Sequence, residues 1–305
     1  MVSHEGLGLL SRLFDGQEQR TVSVLPAEMA VFEHFAGEQP EAGAEDMLIP
    51  FAYEETLCRD IGAGAVPPSL HLWSHPGGVA LGLRDSKLPL AAAAMTELEE
   101  AGIRTAVRHS GGAAVPLDAG IVNVSLILPK APGKLDFHDD FRLLASLIAE
   151  AAAVSHPQAA ARIRAGEIAG SYCPGDFDLA IGGRKFCGIA QRRQSSAYFV
   201  HAFVVVSGSG QERGELIRGF YETASGGDES LVYPRVRPET IAALGELGGP
   251  DAAAVFAAGI RQAAACRGVQ LTSAAQLRQE TGYDLQYSDH RVLEAAEILR
   301  ERYAR

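Results

Sequence analysis

The sequence has 305 residues, 47% of them hydrophobic and 21% charged, which is typical of a globular protein with one large domain or two. Its formal net charge of −11 argues against a general nucleic-acid-binding protein, because such a protein needs a basic surface. The most apolar stretches, residues 120–129 and 198–207, are too short to span a bilayer, and residues 1–11 lack a signal-peptide pattern, so we expect a cytoplasmic protein without membrane contact.

The predicted elements begin after a polar, turn-rich stretch, and residues 1–43 are interpreted as an N-terminal extension. A helix is predicted over residues 45–61, where apolar side chains recur on one face and Pro50 lies in the first turn. A strand, a second strand, a helix and two further strands then follow at residues 70–74, 77–82, 90–101, 105–108 and 122–128.

The second half of the chain is predicted to start with a helix over residues 141–153, which Asp139 can cap. The later elements are an apolar strand at 198–206, a helix from 216, Ala-rich helical sequence from Pro238 and a last amphipathic helix capped by Ser288. Strands and helices intermix, so the predicted class is α+β with mixed, mainly antiparallel sheets flanked by helices. The predicted division is an extension over 1–43, a catalytic domain over 44–237 and a small helical C-terminal extension over 238–305.

A cysteine on a predicted loop is the first candidate for chemistry. Cys173 precedes a Pro-Gly pair that predicts a turn, and a hairpin follows, with strands at 177–181 and 185–189 joined by two glycines at 182–183. The hairpin brings Lys185 back toward Cys173. Because a nearby ammonium ion favours the thiolate, this pattern predicts a reactive thiol.

The other three cysteines are less favoured. Free cysteines are usually buried and inert, and Cys58 and Cys266 lie in helical, apolar sequence while Cys187 lies on a predicted strand. The four cysteines are far apart, and no His-Glu-x-x-His or Cys-x-x-Cys motif occurs, so neither a metal site nor a disulfide framework is predicted.

A second candidate segment covers residues 108–120, Arg-His-Ser-Gly-Gly-Ala-Ala-Val-Pro-Leu-Asp-Ala-Gly. Its Gly-Gly pair allows backbone N–H groups to approach a carbonyl or carboxylate oxygen. The glycine spacing fits neither a dinucleotide-binding fingerprint nor a phosphate-binding P-loop. A plain hairpin turn is the alternative interpretation.

Together, residues 108–112, 114–123 and 182–193 resemble the superfamily of lipoate–protein and biotin–protein ligases. Within it, residues 171–179 are similar to the cysteine loop of the octanoyltransferases of Gram-positive bacteria. Residues 115–126 further resemble the branch that moves octanoyl from the glycine cleavage H protein to other lipoyl domains. The resemblance covers roughly residues 47–221.

The resemblance implies an acyltransferase in which Cys173 holds an acyl thioester and Lys185 lowers the pKa of the thiol. It also implies a substrate site formed by Arg108, Ser110, Gly111, Gly112, Asp118, Asn123 and Gly188. An amide is exchanged for an amide, so no ATP or other cofactor is expected, whereas a ligase would need ATP and magnesium to activate an acid.

The partners implied by the resemblance are octanoylated glycine cleavage H protein as donor and lipoyl domains of 2-oxoacid dehydrogenase E2 subunits as acceptors. Such domains tend to be acidic, as this chain is, so a local basic surface is needed for docking. The residues predicted to form it are Arg184, Arg192 and Arg193.

The octanoyl chain itself needs an apolar tunnel. The strand residues predicted to line it are Trp73, Val79, Leu81 and Val124.

Four alternatives stay open at this point. An acyl carrier protein could be the octanoyl donor, although residues 117–123 favour the H protein. An ATP-dependent lipoate–protein ligase has no need of a loop cysteine, and a non-catalytic lipoyl-domain-binding module has no need of Cys173 and Lys185. Residues 273–282 and 288–303 have helix-turn-helix spacing, but the acidic charge disfavours DNA binding.

Overall fold

The computed structural model describes residues 13–14, 24–37, 43–131, 133 and 137–303. Most of the predicted N-terminal extension therefore lies outside the described residues. No helix of the described ranges is both long and apolar enough to cross a membrane.

The described strands form two sheets. They are β1 (Glu28–His34), β2 (Ser69–Trp73), β3 (Gly77–Leu81), β4 (Thr105–Val107), β5 (Val115–Asp118), β6 (Ile121–Pro129), β7 (Ile163–Ala165), β8 (Leu179–Ile181), β9 (Arg184–Arg193), β10 (Ala197–Val205) and β11 (Gln270–Ser273). The main sheet has the order β11-β1-β2-β6-β10-β9-β8-β7, and the small sheet has the order β4-β3-β5. Of these strand pairs, only β11-β1, β1-β2 and β3-β4 are parallel, which confirms the predicted mixed, mainly antiparallel class.

The helices cover both faces of the main sheet. They are α1 (Ile49–Gly62), α2 (Ala91–Glu100), α3 (His138–Ser155), α4 (Pro157–Ala160), α5 (Gly210–Ser225), α6 (Ala253–Cys266), α7 (Ala274–Thr281) and α8 (His290–Tyr303). One hydrophobic core lies between the main sheet, α1, α8 and the small sheet, and the other lies between the opposite face, α3 and α6. The candidate site lies on the first of these faces.

The predicted hairpin is present and sets the position of Lys185. Gly182 and Gly183 have φ values of +60° and +76°, the left-handed conformation that a two-residue turn of type I′ requires at both positions. Across the turn Ile181 pairs with Arg184 and Ala180 pairs with Lys185. The first strand of this hairpin begins at Leu179 and not at residue 177 as predicted.

Two predicted helix caps were wrong. Asp139 lies inside the first turn of α3, whose N-cap residue is Phe137. At the start of α8 the N–H of Arg291 donates to the carboxylate of Asp289 at 2.8 Å, so the acidic neighbour of Ser288 makes the local contact. Carboxylates near a helix N-terminus are favoured by the helix dipole in either place.

The terminal segments contribute strands that the sequence pattern did not predict. β1 lies between β11 and β2, so a strand from the predicted N-terminal extension joins one from the predicted C-terminal extension. The apolar side of α8, with Val292, Ala296 and Leu299, is buried against α1. The division at residues 43 and 237 stays a prediction, but both flanking segments share the main sheet or its core.

Candidate functional site

Cys173 lies in the loop between β7 and β8 and has a backbone conformation rare for its residue type. Its φ is 45°, the only positive φ of a non-glycine residue in the described chain. A side chain is disfavoured in this left-handed region and persists there when surrounding contacts fix it, which is common at functional sites. We call residues 170–178 the cysteine loop.

Two donors contact the sulfur of Cys173. The backbone N–H of Ala113 lies 3.0 Å from Sγ, and Nη2 of Arg108 lies 3.8 Å from it. The thiol is half-buried, so it is reachable from solvent. A hydrogen-bond donor and a guanidinium ion are groups that can bind negative charge, so both are placed to interact with a nucleophilic sulfur.

Arg108 holds together the segment that donates to the sulfur, residues 108–114, which we call the glycine loop. Its side chain is fully buried, and its Nη atoms donate to Ser110 Oγ at 3.1 Å, to Gly111 O at 2.6 Å and to Ala113 O at 2.5 Å. Its guanidinium also lies 5.2 Å from the centre of the Phe203 ring. Five fixed N–H donors suit one arginine to this task, whereas a lysine ammonium could not reach all of these groups.

Gly112 touches the nucleophile so closely that a side chain cannot be added without displacement. A Cβ atom there would lie 2.6 Å from Cys173 Sγ and 2.9 Å from Arg108 Nη2, and the φ of the residue is +97°. At the neighbouring Gly111 a Cβ would meet nothing within 4 Å. Gly112 therefore has no room for a side chain, whereas Gly111 does.

The glycine loop is supported from behind by α5 and the loop after β3. The N–H of Ala114 donates to the hydroxyl of Tyr221 at 3.2 Å, and that hydroxyl donates to Asp85 at 2.9 Å. Asp85 also accepts from the N–H of Gly82 at 2.8 Å. Burial raises the pKa of the Asp85 carboxyl, while these donors act in the opposite direction.

Lys185 reaches the cysteine loop, but its donors point to oxygen and not to sulfur. Its Nζ lies 2.9 Å from Tyr172 O, 2.6 Å from Cys173 O and 2.7 Å from Asp178 Oδ2. An ammonium ion has three N–H groups, so all three have an acceptor. In this geometry Lys185 acts on the thiol through the loop backbone, while Arg108 and Ala113 make the direct contacts.

Asp178 is the functional neighbour of Lys185 that the sequence interpretation missed. Both side chains are buried, with exposed fractions of 1% for Asp178 and 3% for Lys185. Burial raises the pKa of Asp178 to about 6, although the Lys185 ammonium and the Gly175 N–H oppose this rise. The contact between Asp178 and Lys185 could have been inferred from the hairpin register, because Lys185 pairs with Ala180, two residues after Asp178.

Three other residues of the predicted substrate site have structural contacts. Asp118 forms a two-bond ion pair with Arg213 of α5, with both N···O distances at 2.8 Å. The Asn123 amide donates to Trp73 O at 3.2 Å. A Cβ at Gly188 would lie 3.3 Å from Lys185 Nζ, so this glycine lies directly beside the ammonium.

A narrow cavity of about 20 Å³ adjoins Cys173. Its walls include Val115, Ile121, Tyr172, Phe203 and Val205, together with Arg108, Lys185, Gly188 and Ala190. None of the four predicted tunnel residues lines it. Trp73, Val79 and Leu81 belong to the first core and Val124 to the core on the opposite face of the main sheet, so that prediction was wrong for this cavity.

The predicted docking arginines have unequal surroundings. Arg192 Nε lies 2.6 Å from Glu55 of α1, and the same carboxylate lies 2.6 Å from His109 Nε2 in the glycine loop. Burial raises the pKa of Glu55, but His109 and Arg192 outweigh it and lower the pKa to about 2. Arg184 and Arg193 are exposed. Arg192 is therefore part of the support of the site, while the other two face solvent.

The other cysteines have surroundings unsuited to nucleophilic chemistry. Burial raises the pKa of the Cys58 and Cys187 thiols well above the usual range, and Cys266 is exposed near the end of α6. Among the residues that the structure describes, no cluster of three or more His, Cys, Asp or Glu side chains has metal-binding geometry. Of the four thiols, Cys173 alone has a guanidinium ion within hydrogen-bonding reach.

Comparison with known proteins identifies relatives in sequence and in structure. Residues 46–252 match the family model described as the lipoyl protein ligase A/B catalytic domain. The chain is 43% identical over 198 residues to an octanoyl-[GcvH]:protein N-octanoyltransferase from Anoxybacillus flavithermus, covering 65% of this chain and 70% of that protein. It is 42% identical over 200 residues to a protein of the same name from Geobacillus kaustophilus, covering 65% and 69%.

The fold is also similar to that of solved structures. A proposed lipoate protein ligase from T. acidophilum with bound lipoic acid superimposes with a TM-score of 0.62 at 17% identity, covering 91% of this chain and 97% of that chain. At this identity the likeness concerns the fold. These matches confirm the resemblance that the segments around residues 108–112 and 171–179 indicated, and they confirm the predicted fold class.

Proposed function

Because the chain belongs to the lipoyl protein ligase A/B catalytic domain family, we propose that it is an acyltransferase with a covalent Cys173 intermediate. It moves octanoyl from the glycine cleavage H protein to lysines of E2 lipoyl domains in the cytoplasm. The names of its relatives support the donor and the acyl group. The observation that carries the proposal is the sulfur of Cys173 held by the Ala113 N–H and the Arg108 guanidinium.

The first half of the reaction begins with attack of the Cys173 thiolate on the amide carbonyl of the octanoyl-lysine donor. A carbon–sulfur bond forms, and the negative charge moves from sulfur to the carbonyl oxygen. The oxygen and the sulfur are now attached to the same carbon atom. The Ala113 N–H and Arg108 Nη2, which contact Sγ, are therefore proposed to donate to the oxygen once it carries the charge. The amide nitrogen takes up a proton from water, the carbon–nitrogen bond breaks, and the donor lysine leaves as an amine.

The second half reverses these steps with a new amine. The deprotonated ε-amine of the acceptor lysine attacks the thioester carbonyl, and a carbon–nitrogen bond forms. Its nitrogen gives up a proton to water, the carbon–sulfur bond breaks, and Cys173 leaves as a thiolate that Ala113 and Arg108 again contact. The protons that the donor amine took up equal those that the acceptor ammonium releases. An amide replaces an amide, so the exchange is close to isoenergetic and needs no ATP.

The acyl chain is proposed to enter the cavity beside Cys173. Its apolar walls, Val115, Ile121, Phe203 and Val205, suit a hydrocarbon chain, which gains roughly 0.8 kcal/mol for each buried methylene. A volume of about 20 Å³ holds little more than one water molecule. The octanoyl group therefore widens the cavity by displacing these side chains when it binds.

Intact-mass spectrometry tests the proposed function. We expect the protein to gain the mass of one octanoyl group when mixed with octanoylated H protein without ATP, and the Cys173→Ala variant to gain none, since it lacks the nucleophile. Cys266→Ala is the matched control, because it removes an exposed thiol far from these donors. No adduct on the wild type, together with lipoylation that depends on ATP, would instead identify a ligase.

The acceptor is proposed to dock on the exposed arginines of β9. Arg184 follows the turn of the hairpin and Arg193 ends the strand, on either side of the segment that faces the cavity. Arg192 is a poor probe of docking because its replacement by glutamate would also disturb Glu55 and His109.

We therefore expect the double variant Arg184→Glu, Arg193→Glu to raise the KM for the acceptor domain by about tenfold with little change in kcat, because rim charges act mainly on encounter. Arg278→Glu is the control, since this exposed side chain lies on α7 beside β1 and β11, toward the other edge of the main sheet. Steady-state transfer at two salt concentrations measures both values. An unchanged KM in the double variant would exclude this docking surface.

A further inference from the structure

Asp178, the last residue of the cysteine loop, contacts both Gly175 of that loop and Lys185, yet no step of the proposed transfer uses it. Its Oδ2 accepts from Lys185 Nζ at 2.7 Å and from the N–H of Gly175 at 3.1 Å. Gly175 is two residues after Cys173, and the N–H of Asp178 donates back to Gly175 O at 3.0 Å. The carboxylate thus closes the loop on one side and binds the ammonium on the other.

Lys185 fixes the backbone on both sides of the Cys173 Cα atom. Its ammonium binds the carbonyl oxygens of Tyr172 and Cys173, which belong to the peptide groups before and after that atom. Two such bonds determine the orientation of both groups, and hence the disfavoured φ of 45° at Cys173. This backbone conformation places Sγ 3.0 Å from the Ala113 N–H.

Lys185 is buried with a counter-ion beside it. An ammonium ion at 3% exposure is costly to bury unless an anion pairs with it. Its three N–H groups have two carbonyl oxygens and one carboxylate as acceptors. Asp178 is the acidic side chain in contact with Lys185, so it is the group that keeps all three bonds in place.

We infer that Asp178 is a positioning residue of the nucleophile: it pairs with the buried Lys185 ammonium ion and holds it in place, and the ammonium holds the left-handed backbone that aims the Cys173 sulfur at Ala113 and Arg108. The inference deepens the proposed function and rests on the role of Cys173 in it. It assigns Lys185 to the geometry of the loop and Asp178 to the placement of Lys185.

The contact between Asp178 and Lys185 depends on pH. The charged and titratable groups that face Asp178 are Lys185 on β9, Glu167 in the preceding loop, and Tyr172 and Cys187, whose pKa values are raised by burial. Burial raises the pKa of Asp178 to about 6. Below that pH the carboxyl is protonated and loses its hold on the ammonium, so thiol reactivity falls as the pH drops through about 6. Above it the pair is intact.

Alkylation of Cys173 by iodoacetamide tests this without relying on octanoyl transfer. We expect Asp178→Asn in the full chain to slow alkylation at neutral pH by about tenfold and to remove the inflection near pH 6, because asparagine keeps the shape but not the charge. Asp178→Glu restores part of the rate. Asp176→Asn is the matched control, an exposed carboxylate in the same loop that we expect to change the rate by less than about twofold.

Each outcome of this experiment is decisive. A wild-type rate and an unchanged pH profile in Asp178→Asn would overturn the inference, as would an equal loss in Asp176→Asn. If Asp178→Asn does not fold by circular dichroism, the wild-type profile decides, and a profile without an inflection near pH 6 overturns it. Failure of octanoylated H protein to acylate the wild type would refute the proposed function alone, because alkylation needs no acyl donor.

Discussion

Replacing Arg108 by glutamine is expected to lower the rate of Cys173 acylation by about a thousandfold, equivalent to about 4 kcal/mol in the barrier. The variant loses the cation that lies 3.8 Å from the sulfur, and removal of one such donor to a developing charge costs about 10² to 10³ in rate. It also loses the bonds to Gly111 O and Ala113 O that shape the glycine loop. Single-turnover mass spectrometry measures the rate.

Arg108→Lys separates charge from shape. Lysine keeps the positive charge but cannot bridge Ser110, Gly111 and Ala113, so we expect it to lose about a hundredfold, much of the effect of glutamine. A lysine variant close to wild type would mean that charge alone matters and that the fork of the guanidinium does not.

Arg213→Gln is the matched control for this experiment. Arg213 is also a nearly buried arginine in a two-bond contact, but its partner is Asp118 and not the glycine loop. We expect it to lower Tm without slowing Cys173 acylation, which single-turnover mass spectrometry measures. An equal loss of acylation rate in both variants would show that removal of any buried arginine nearby produces it, and the direct role of Arg108 would then be wrong.

The nucleophile was predictable because the residues that position it are close to it in the sequence. A Pro-Gly turn follows Cys173, and a Gly-Gly hairpin then brings Lys185 back toward the loop that contains Cys173. Two-residue turns of this kind fix the register of the hairpin. The contacts of Lys185 with the carbonyl oxygens of Tyr172 and Cys173 were not predictable. They depend on the left-handed φ of Cys173 and on the register shift between Leu179 and Ala180, neither of which leaves a pattern in the sequence.

Long-range pairs explain most of the other differences. β1 and β11 meet across more than two hundred residues of chain, so neither has a local partner that would mark it as a strand. β5, which contains Pro116, was not among the predicted strands; it is an edge strand of the small sheet, where proline is tolerated. Arg192 was predicted to belong to a basic docking surface, and its contact with Glu55 was not foreseen because Glu55 lies on α1, far away in the sequence.

Gly112→Ala is expected to reduce acylation by at least about a hundredfold, although it adds one methyl group. The new Cβ would lie 2.6 Å from Cys173 Sγ and 2.9 Å from Arg108 Nη2, so one of them has to move, and a shift of roughly 1 Å costs about 10² in rate. Alanine is also disfavoured at a φ of +97°.

Gly111→Ala is the matched control for Gly112→Ala. A methyl group on the adjacent glycine would have open space within 4 Å, so alanine there should keep Gly111 O in contact with Arg108 and lose at most about fivefold. Both variants are measured by iodoacetamide alkylation and by single-turnover acylation. A Gly112→Ala enzyme within about threefold of wild type would mean that the sulfur does not need its place beside Ala113 and Arg108, and the proposed path of the negative charge from sulfur to the carbonyl oxygen would lose its support. Equal losses in both variants would point to general stiffening of the glycine loop and not to the contact at Sγ.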